Sequence, residues 1–172
     1  LGDGSFAAPD VYPTMYPLSV RVGDFNGDGL RDLAVASGLE TVTIFLNTGT
    51  SFTPSSSIDL VGAPVRVADI DHDGHLDLVG AQRVLFGNGD GTFQAPRQFA
   101  VGAFIPGNET KLHPLNLFRR DVAITDFDGD GTADLAVANT DSGDVSILLG
   151  RGDGTFLPQR RFDATTGPFA VD

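Results

Sequence analysis

Asp24-Phe25-Asn26-Gly27-Asp28-Gly29-Leu30-Arg31-Asp32 is a nine-residue loop in which every odd position except the seventh carries a carboxylate or a carboxamide. The same arrangement recurs at Asp69-Ile70-Asp71-His72-Asp73-Gly74-His75-Leu76-Asp77 and at Asp126-Phe127-Asp128-Gly129-Asp130-Gly131-Thr132-Ala133-Asp134, as D-x-[DN]-x-D-G-x-x-D each time. Together the copies hold eleven of the 23 acidic residues, so much of the formal charge of -12 is concentrated in three short clusters. Internal repetition of this kind is the mark of an array built from one supersecondary unit.

Three or four carboxylates in so short a loop repel one another unless a cation neutralises them. Calcium suits such a loop, because it takes several hard oxygen ligands in flexible geometry, and Gly27 or Gly29 permits the sharp turn. Magnesium demands a stricter octahedron and keeps more of its water. By analogy with other calcium loops, positions one, three and five supply side-chain oxygens, position seven its carbonyl and position nine a closing carboxylate. This assigns Asp24, Asn26, Asp28, Leu30 and Asp32 to the first site and Asp69, Asp71, Asp73, His75 and Asp77 to the second. The third takes Asp126, Asp128, Asp130, Thr132 and Asp134, and three calcium ions are expected in all. The alternative is three Asx-rich turns without metal. His72 and His75 suggest a transition metal in the second loop, but the four carboxylates beside them favour a hard cation.

EF-hands and dockerin repeats begin in the same way, and the flanking residues separate them. An EF-hand closes with a glutamate at position twelve and enters a helix. Here position twelve is Val35, Gly80 or Val137. Short apolar runs of strand character lie on both sides, Val20-Arg21-Val22 before the first loop and Leu33-Ala34-Val35-Ala36 after it, and likewise around the other two. Each loop therefore reads as a β-hairpin connection. A third apolar run follows at Val42–Leu46, Val84–Phe86 and Val145–Leu149, then a Gly-rich turn ending in Phe: Asn47 to Phe52, Gly87 to Phe93 and Gly150 to Phe156. A fourth strand is expected to leave each Phe.

Four antiparallel strands recurring after 45 residues (Asp24 to Asp69) and 57 residues (Asp69 to Asp126) have the dimensions of propeller blades. The pairing of D-F-N-G-D-G-L-R-D-L-A-V-A with L-F-G-N-G-D-G-T-F resembles the FG-GAP or VCBS repeat family, the integrin α-like calcium-binding propellers, along essentially the whole chain. The resemblance implies an all-β β-propeller with calcium in the hairpin loops. It covers integrin α heads, fungal lectins and bacterial exported proteins, which share a fold and not a function. The chain departs from the family where the turn at Asn47 to Phe52 lacks Asp and where the second repeat is compressed between Asp77 and Phe93.

The expected organisation is one repeat array over 1–172: the last strand of a preceding blade at 1–16, with Ser5 to about Val11 extended, then blade 1 at 17–62, blade 2 at 63–100, an inserted loop at 101–120, blade 3 at 121–163 and the start of a next blade at 164–172. That is about three complete blades with partial blades at both ends, so a fragment of a larger propeller or a self-associating chain is expected. The insertion carries Lys111, His113, Arg119 and Arg120, a basic cluster that can serve binding or be a tolerated surface loop. Asn108-Glu109-Thr110 fits a glycosylation sequon. Arg151-Gly152-Asp153 spells an integrin-recognised tripeptide, yet it falls inside the recurring turn.

The absence of Cys excludes disulfides, thiolate zinc sites and cysteine nucleophiles. No apolar run is long enough for a spanning helix, no secretory signal is legible at Leu1, and the acidic balance argues against nucleic acid. No nucleophile with a base and no metal with an open position is evident, so an enzyme is not expected. The expectation is an extracellular, calcium-binding interaction or adhesion module with a protein or glycan ligand. The alternatives are a carbohydrate-binding propeller and an accessory, non-catalytic domain of a secreted enzyme.

Overall fold

The computed structural model describes residues 8–38, 41–60, 65–80, 82–101, 121–139 and 142–164. Within them lie twelve strands in three four-stranded antiparallel sheets, each a simple meander. Blade 1 is β1 (Pro17–Gly23), β2 (Asp32–Ser37), β3 (Thr41–Asn47) and β4 (Phe52–Asp59). Blade 2 is β5 (Arg66–Ala68), β6 (Asp77–Val79), β7 (Arg83–Leu85) and β8 (Arg97–Gln98), and blade 3 is β9 (Val122–Thr125), β10 (Asp134–Asn139), β11 (Asp144–Leu148) and β12 (Arg160–Asp163). No helix is present among the described residues. The first strands are neighbours, β1 against β5 and β5 against β9, so the blades stack face to face around a common side. This is the propeller arrangement.

The strands form where β-branched and apolar residues run without interruption, because both faces of a central blade are covered. On β2, Ala34 and Ala36 are buried and join Val42 and Ile44 against Leu78 and Leu85 of blade 2. The opposite face of blade 2 presents Val79, Val84 and Phe86 to Val122, Leu135, Val137 and Leu148 of blade 3. Small alanines on one blade thus meet branched side chains on the next, which lets the sheets approach closely. On the face of blade 1 turned away from blade 2, Leu18, Val20 and Val22 are exposed.

Two expectations about strands are corrected. A fourth strand leaves its Phe only in blade 1, where β4 begins at Phe52. In the other blades Phe93 and Phe156 make single bridges, to Gly87 and Gly150, and the strands start four residues later at Arg97 and Arg160. Pro96 and Pro158 fall in these gaps, and proline has no N–H to give a ladder. The N-terminal strand expected from Ser5 to Val11 is not present over Ala8 to Val11. Instead Tyr12 packs edge-on against Phe45 and Phe52, and its hydroxyl accepts the Phe52 N–H at 3.2 Å. The insertion from 102 to 120, with its basic cluster and sequon, and the segment from 165 onward lie outside the described residues.

Candidate metal centre: the three acidic loops

Each acidic loop joins the first and second strands of its blade. The turns need left-handed backbone at the fourth and sixth positions, supplied by Gly27 and Gly29 at φ 72° and 85° and by Gly129 and Gly131 at 82° and 88°. The second loop has Gly74 at φ 89° but places His72 at φ 60°, a conformation costly for a side chain with a Cβ.

The carboxylate at position one organises the turn from inside. Asp24 accepts the Gly27 N–H at 2.8 Å on Oδ1 and the Gly29 N–H at 2.9 Å on Oδ2. Asp126 repeats this with Gly129 at 2.7 Å and Gly131 at 2.9 Å, and Asp69 accepts Gly74 at 3.0 Å. The N–H groups of Gly131 and then Gly129 hold the Asp126 carboxyl below the usual carboxylate range. At position five, Asp28, Asp73 and Asp130 each accept the N–H of Leu30, His75 or Thr132 at position seven, at 2.8 Å. Asn26 at position three turns inward, donating from Nδ2 to Asp28 at 2.9 Å.

Position nine differs from the others. Asp32, Asp77 and Asp134 are fully buried, and both oxygens of each accept a backbone amide. Asp32 takes Phe25 N at 2.9 Å and Asn47 N at 2.7 Å, Asp77 takes Ile70 N at 2.7 Å and Gly87 N at 2.9 Å, and Asp134 takes Phe127 N at 2.8 Å and Gly150 N at 2.7 Å. One carboxylate therefore ties the start of the acidic loop to the start of the Gly-rich turn in the same blade. Reading the sequence assigned these residues a ligand role only. Their regular recurrence was the signal, but clamp and ligand leave the same trace in a sequence.

In the second loop, Asp69 Oδ1 and Asp71 Oδ1 are buried without a hydrogen-bond partner. Oxygens of Asp69, Asp71 and Asp77 lie within 4.8 Å of one another, as do those of Asp126, Asp128 and Asp130 in the third. Burial pushes the Asp77 carboxyl up to about 6, opposed by its hydrogen bonds from Gly87 and Ile70 and reinforced by the charges of Asp71 and Asp73. Converging, partly desolvated carboxylate oxygens without donors are costly on their own and suit a hard divalent cation.

The Gly-rich turns of blades 2 and 3 pack on the acidic loop of the preceding blade, a contact that reading the sequence did not reveal. Gly91 N donates to Phe25 O at 2.9 Å, and the Phe25 and Phe93 rings meet edge-on with centroids 6.0 Å apart. A Cβ on Gly154 would come within 2.4 Å of the Phe86 ring and 3.4 Å of Asp71 Cβ. The first and second candidate cation loops thus lie at the seams between blades. Asp153 of the Arg151-Gly152-Asp153 turn accepts Thr155 N at 2.9 Å and Thr155 Oγ1 at 2.6 Å, as Asp90 does with Thr92, so the turn uses this aspartate to shape itself.

Blade 3 also holds a buried polar network. Asn139 donates to Asp144 and to Ser146, each at 2.7 Å, and Arg161 donates to the other Asp144 oxygen. Burial alone would raise the Asp144 carboxyl, but hydrogen bonds led by that from Arg161 hold it below the usual range.

The model of the FG-GAP-like repeat matches residues 24–80 and 126–172, more than half of the chain. Integrin alpha-V of Gallus gallus is 30% identical over 161 residues, a match spanning 79% of this chain and 15% of the integrin's length. Among solved structures, an Agrocybe aegerita lectin in specific recognition of non-reducing terminal N-acetylglucosamine is similar with a TM-score of 0.52 and 24% identity, over 88% of this chain and 39% of the lectin. BBS1N, in complex with ARL6DN, is similar with a TM-score of 0.58 and 15% identity, over 98% of this chain and 51% of that one. At such identities the two structures are alike in fold.

Proposed function

This chain belongs to the FG-GAP-like repeat family, and from that premise we propose that it is a calcium-stabilised, non-catalytic interaction module of an extracellular protein. The observation that carries the reading is in the second loop: Asp69 Oδ1 and Asp71 Oδ1 are buried without donors, beside Asp77. A cation there would be held by Asp69, Asp71, Asp73 and Asp77, and corresponding ions by Asp24, Asn26, Asp28 and Asp32 and by Asp126, Asp128, Asp130 and Asp134. Its chemistry is structural: it neutralises the loop and fixes the seam on which the next blade's turn rests. Calcium sites of extracellular modules have dissociation constants of about 10⁻⁴–10⁻³ M. Cytosolic calcium leaves such sites empty, which supports an extracellular setting. The integrin likeness supports a protein partner, presented to the loops of a rigid stack.

The test is thermal unfolding in millimolar calcium and then in chelator, with light scattering reporting the mass. At ten times the dissociation constant each site contributes about 1.4 kcal/mol by mass action. Three sites then raise the melting temperature by roughly 8–17 °C at 2–4 °C per kcal/mol. An unchanged melting temperature would remove calcium from the account and leave the blades alone. A mass of twice the chain would show that the chain self-associates.

A further inference from the structure

Between the outer parts of blades 2 and 3 lies an open cleft of about 510 Å³, within the size range of ligand sites. One wall is the segment from Arg97 to Ala100 around β8, and the other runs from Thr155 to Gln159 ahead of β12. Its floor is apolar, with Val84, Leu148, Phe99 and Phe156. The last two pack as a tilted pair with centroids 5.7 Å apart.

The charge of this cleft runs against that of the protein. Acidic residues outnumber Lys and Arg by 23 to 11 in the chain, yet among the described residues no carboxylate lines the cleft, while Arg97 and Arg151 both do. The ion pairs of the described residues join Arg66 to Asp121 and Arg161 to Asp144, and Arg97 and Arg151 enter neither. Arg97 is positioned, its guanidinium 4.6 Å from the centroid of the Phe86 ring. Arg151 follows Gly150 at the start of a turn fixed by the clamp from Asp134, and its own N–H donates to Thr155 O at 3.0 Å. Gln98 and Gln159 add amide groups at the walls.

Two guanidiniums outside the ion pairs of the described residues, Arg97 pre-oriented on an aromatic face and Arg151 with Asp153 nearby, are suited to a carboxylate, because the planar fork matches its two oxygens. The apolar floor between two extended wall segments suits the side chain next to that carboxylate. We propose that this cleft binds a short acidic peptide segment of a partner protein, with a glutamate or aspartate carboxylate on Arg97 and Arg151 and a neighbouring apolar side chain over Phe99 and Phe156. Recognition of an acidic motif by an arginine pair is an established mode of peptide binding. The site rests on the reading of the chain as a protein-interaction module and gives that reading a location. Its walls are the outer parts of the blades, and it meets the second acidic loop only at Gly154, which borders Asp71.

The experiment is a titration of the full ¹⁵N-labelled chain in saturating calcium with acetyl-phenylalanyl-glutamyl-amide, followed by amide chemical shifts. Shifts are expected at Gln98, Phe99, Thr155 and Gln159, with the isosteric glutamine peptide at least tenfold weaker. Arg97→Gln and Arg151→Gln are each expected to weaken the glutamate peptide at least fivefold while leaving calcium-dependent melting unchanged. Equal binding of the two peptides, shifts confined to the acidic loops, or unchanged affinity in both variants overturns the proposal. Glucuronate perturbing the same amides at lower concentration than the peptide also overturns it, in favour of an acidic glycan. Loss of the calcium effect on melting with these shifts intact would instead refute the metal reading and leave the cleft standing.

Discussion

Replacing Asp134 by Ala removes one buried carboxylate and leaves two backbone amides without their acceptor, the part-buried Phe127 N at 2.8 Å and the buried Gly150 N at 2.7 Å. Hydrogen bonds to a charged group contribute about 1.5–3 kcal/mol each, so the substitution should cost roughly 3–6 kcal/mol even without any metal. Asp130→Ala is the control, because Asp130 is exposed and accepts only within its own turn, from Thr132 N at 2.8 Å and Thr132 Oγ1 at 2.6 Å. Its cost in chelator should stay under about 1 kcal/mol, as for other exposed sites. Asp134→Asn keeps one acceptor and sets its NH₂ against the second amide, so it should fall between wild type and Asp134→Ala. Urea unfolding of all four proteins in chelator reads these differences as midpoint shifts at constant slope. In calcium the gap between wild type and Asp130→Ala should widen, since that variant then also loses one bound ion. Should Asp134→Ala and Asp130→Ala unfold at the same urea concentration in chelator, the amide clamp does not hold the blade and the reasoning from burial is wrong.

His72→Gly should stabilise the protein by roughly 0.5–1 kcal/mol in urea unfolding, because it relieves a left-handed histidine where the other loops use glycine. Gly150→Ala should destabilise by about 1–3 kcal/mol or more, since its Cβ would fall 2.3 Å from the Ala133 carbonyl oxygen; calorimetry against Gly129→Ala, whose Cβ meets nothing within 4 Å, separates crowding from backbone strain. Asp144 is held below the usual carboxylate range in the fold, so its stabilisation is complete above the unfolded value of about 3.9 and is lost as pH falls through the lower folded value. Melting curves from pH 5 to 2 should show a shallower acid loss for Asp144→Asn than for wild type.

The acidic loops, the hairpins they close and the blade periodicity were legible from residues close together in the chain. Carboxylates at alternate positions followed by Gly and a β-branched run admit few other structures. The fourth strands were less legible: they begin late in blades 2 and 3, after Pro96 and Pro158, and β8 is only two residues long. The double role of position nine was hidden because Asp77 reaches Gly87, ten residues on, and Asp134 reaches Gly150, sixteen residues on. The matching turn in blade 1, which lacks an Asp, keeps the same clamp through Asn47 N. What is retained there is an amide at the right point in space, which no side-chain pattern records.

By itself the sequence determined the repeat, the all-β class and the hairpin loops, because each unit is written in residues close together in the chain. Only the tertiary structure decided which face of each blade meets which neighbour. Val79 points to blade 3 and Leu78 to blade 1, yet both are apolar and fully buried, so a strand covered on both sides has no alternation from which its direction could be read. The same holds for the seams. Phe25 and Phe93 meet across two blades, Phe127 at the matching position of blade 3 is 47% exposed, and the cleft of Arg97 and Arg151 exists only where two outer walls face each other. Such contacts arise from stacking whole sheets, and their chemistry is set by residues that the chain places far apart.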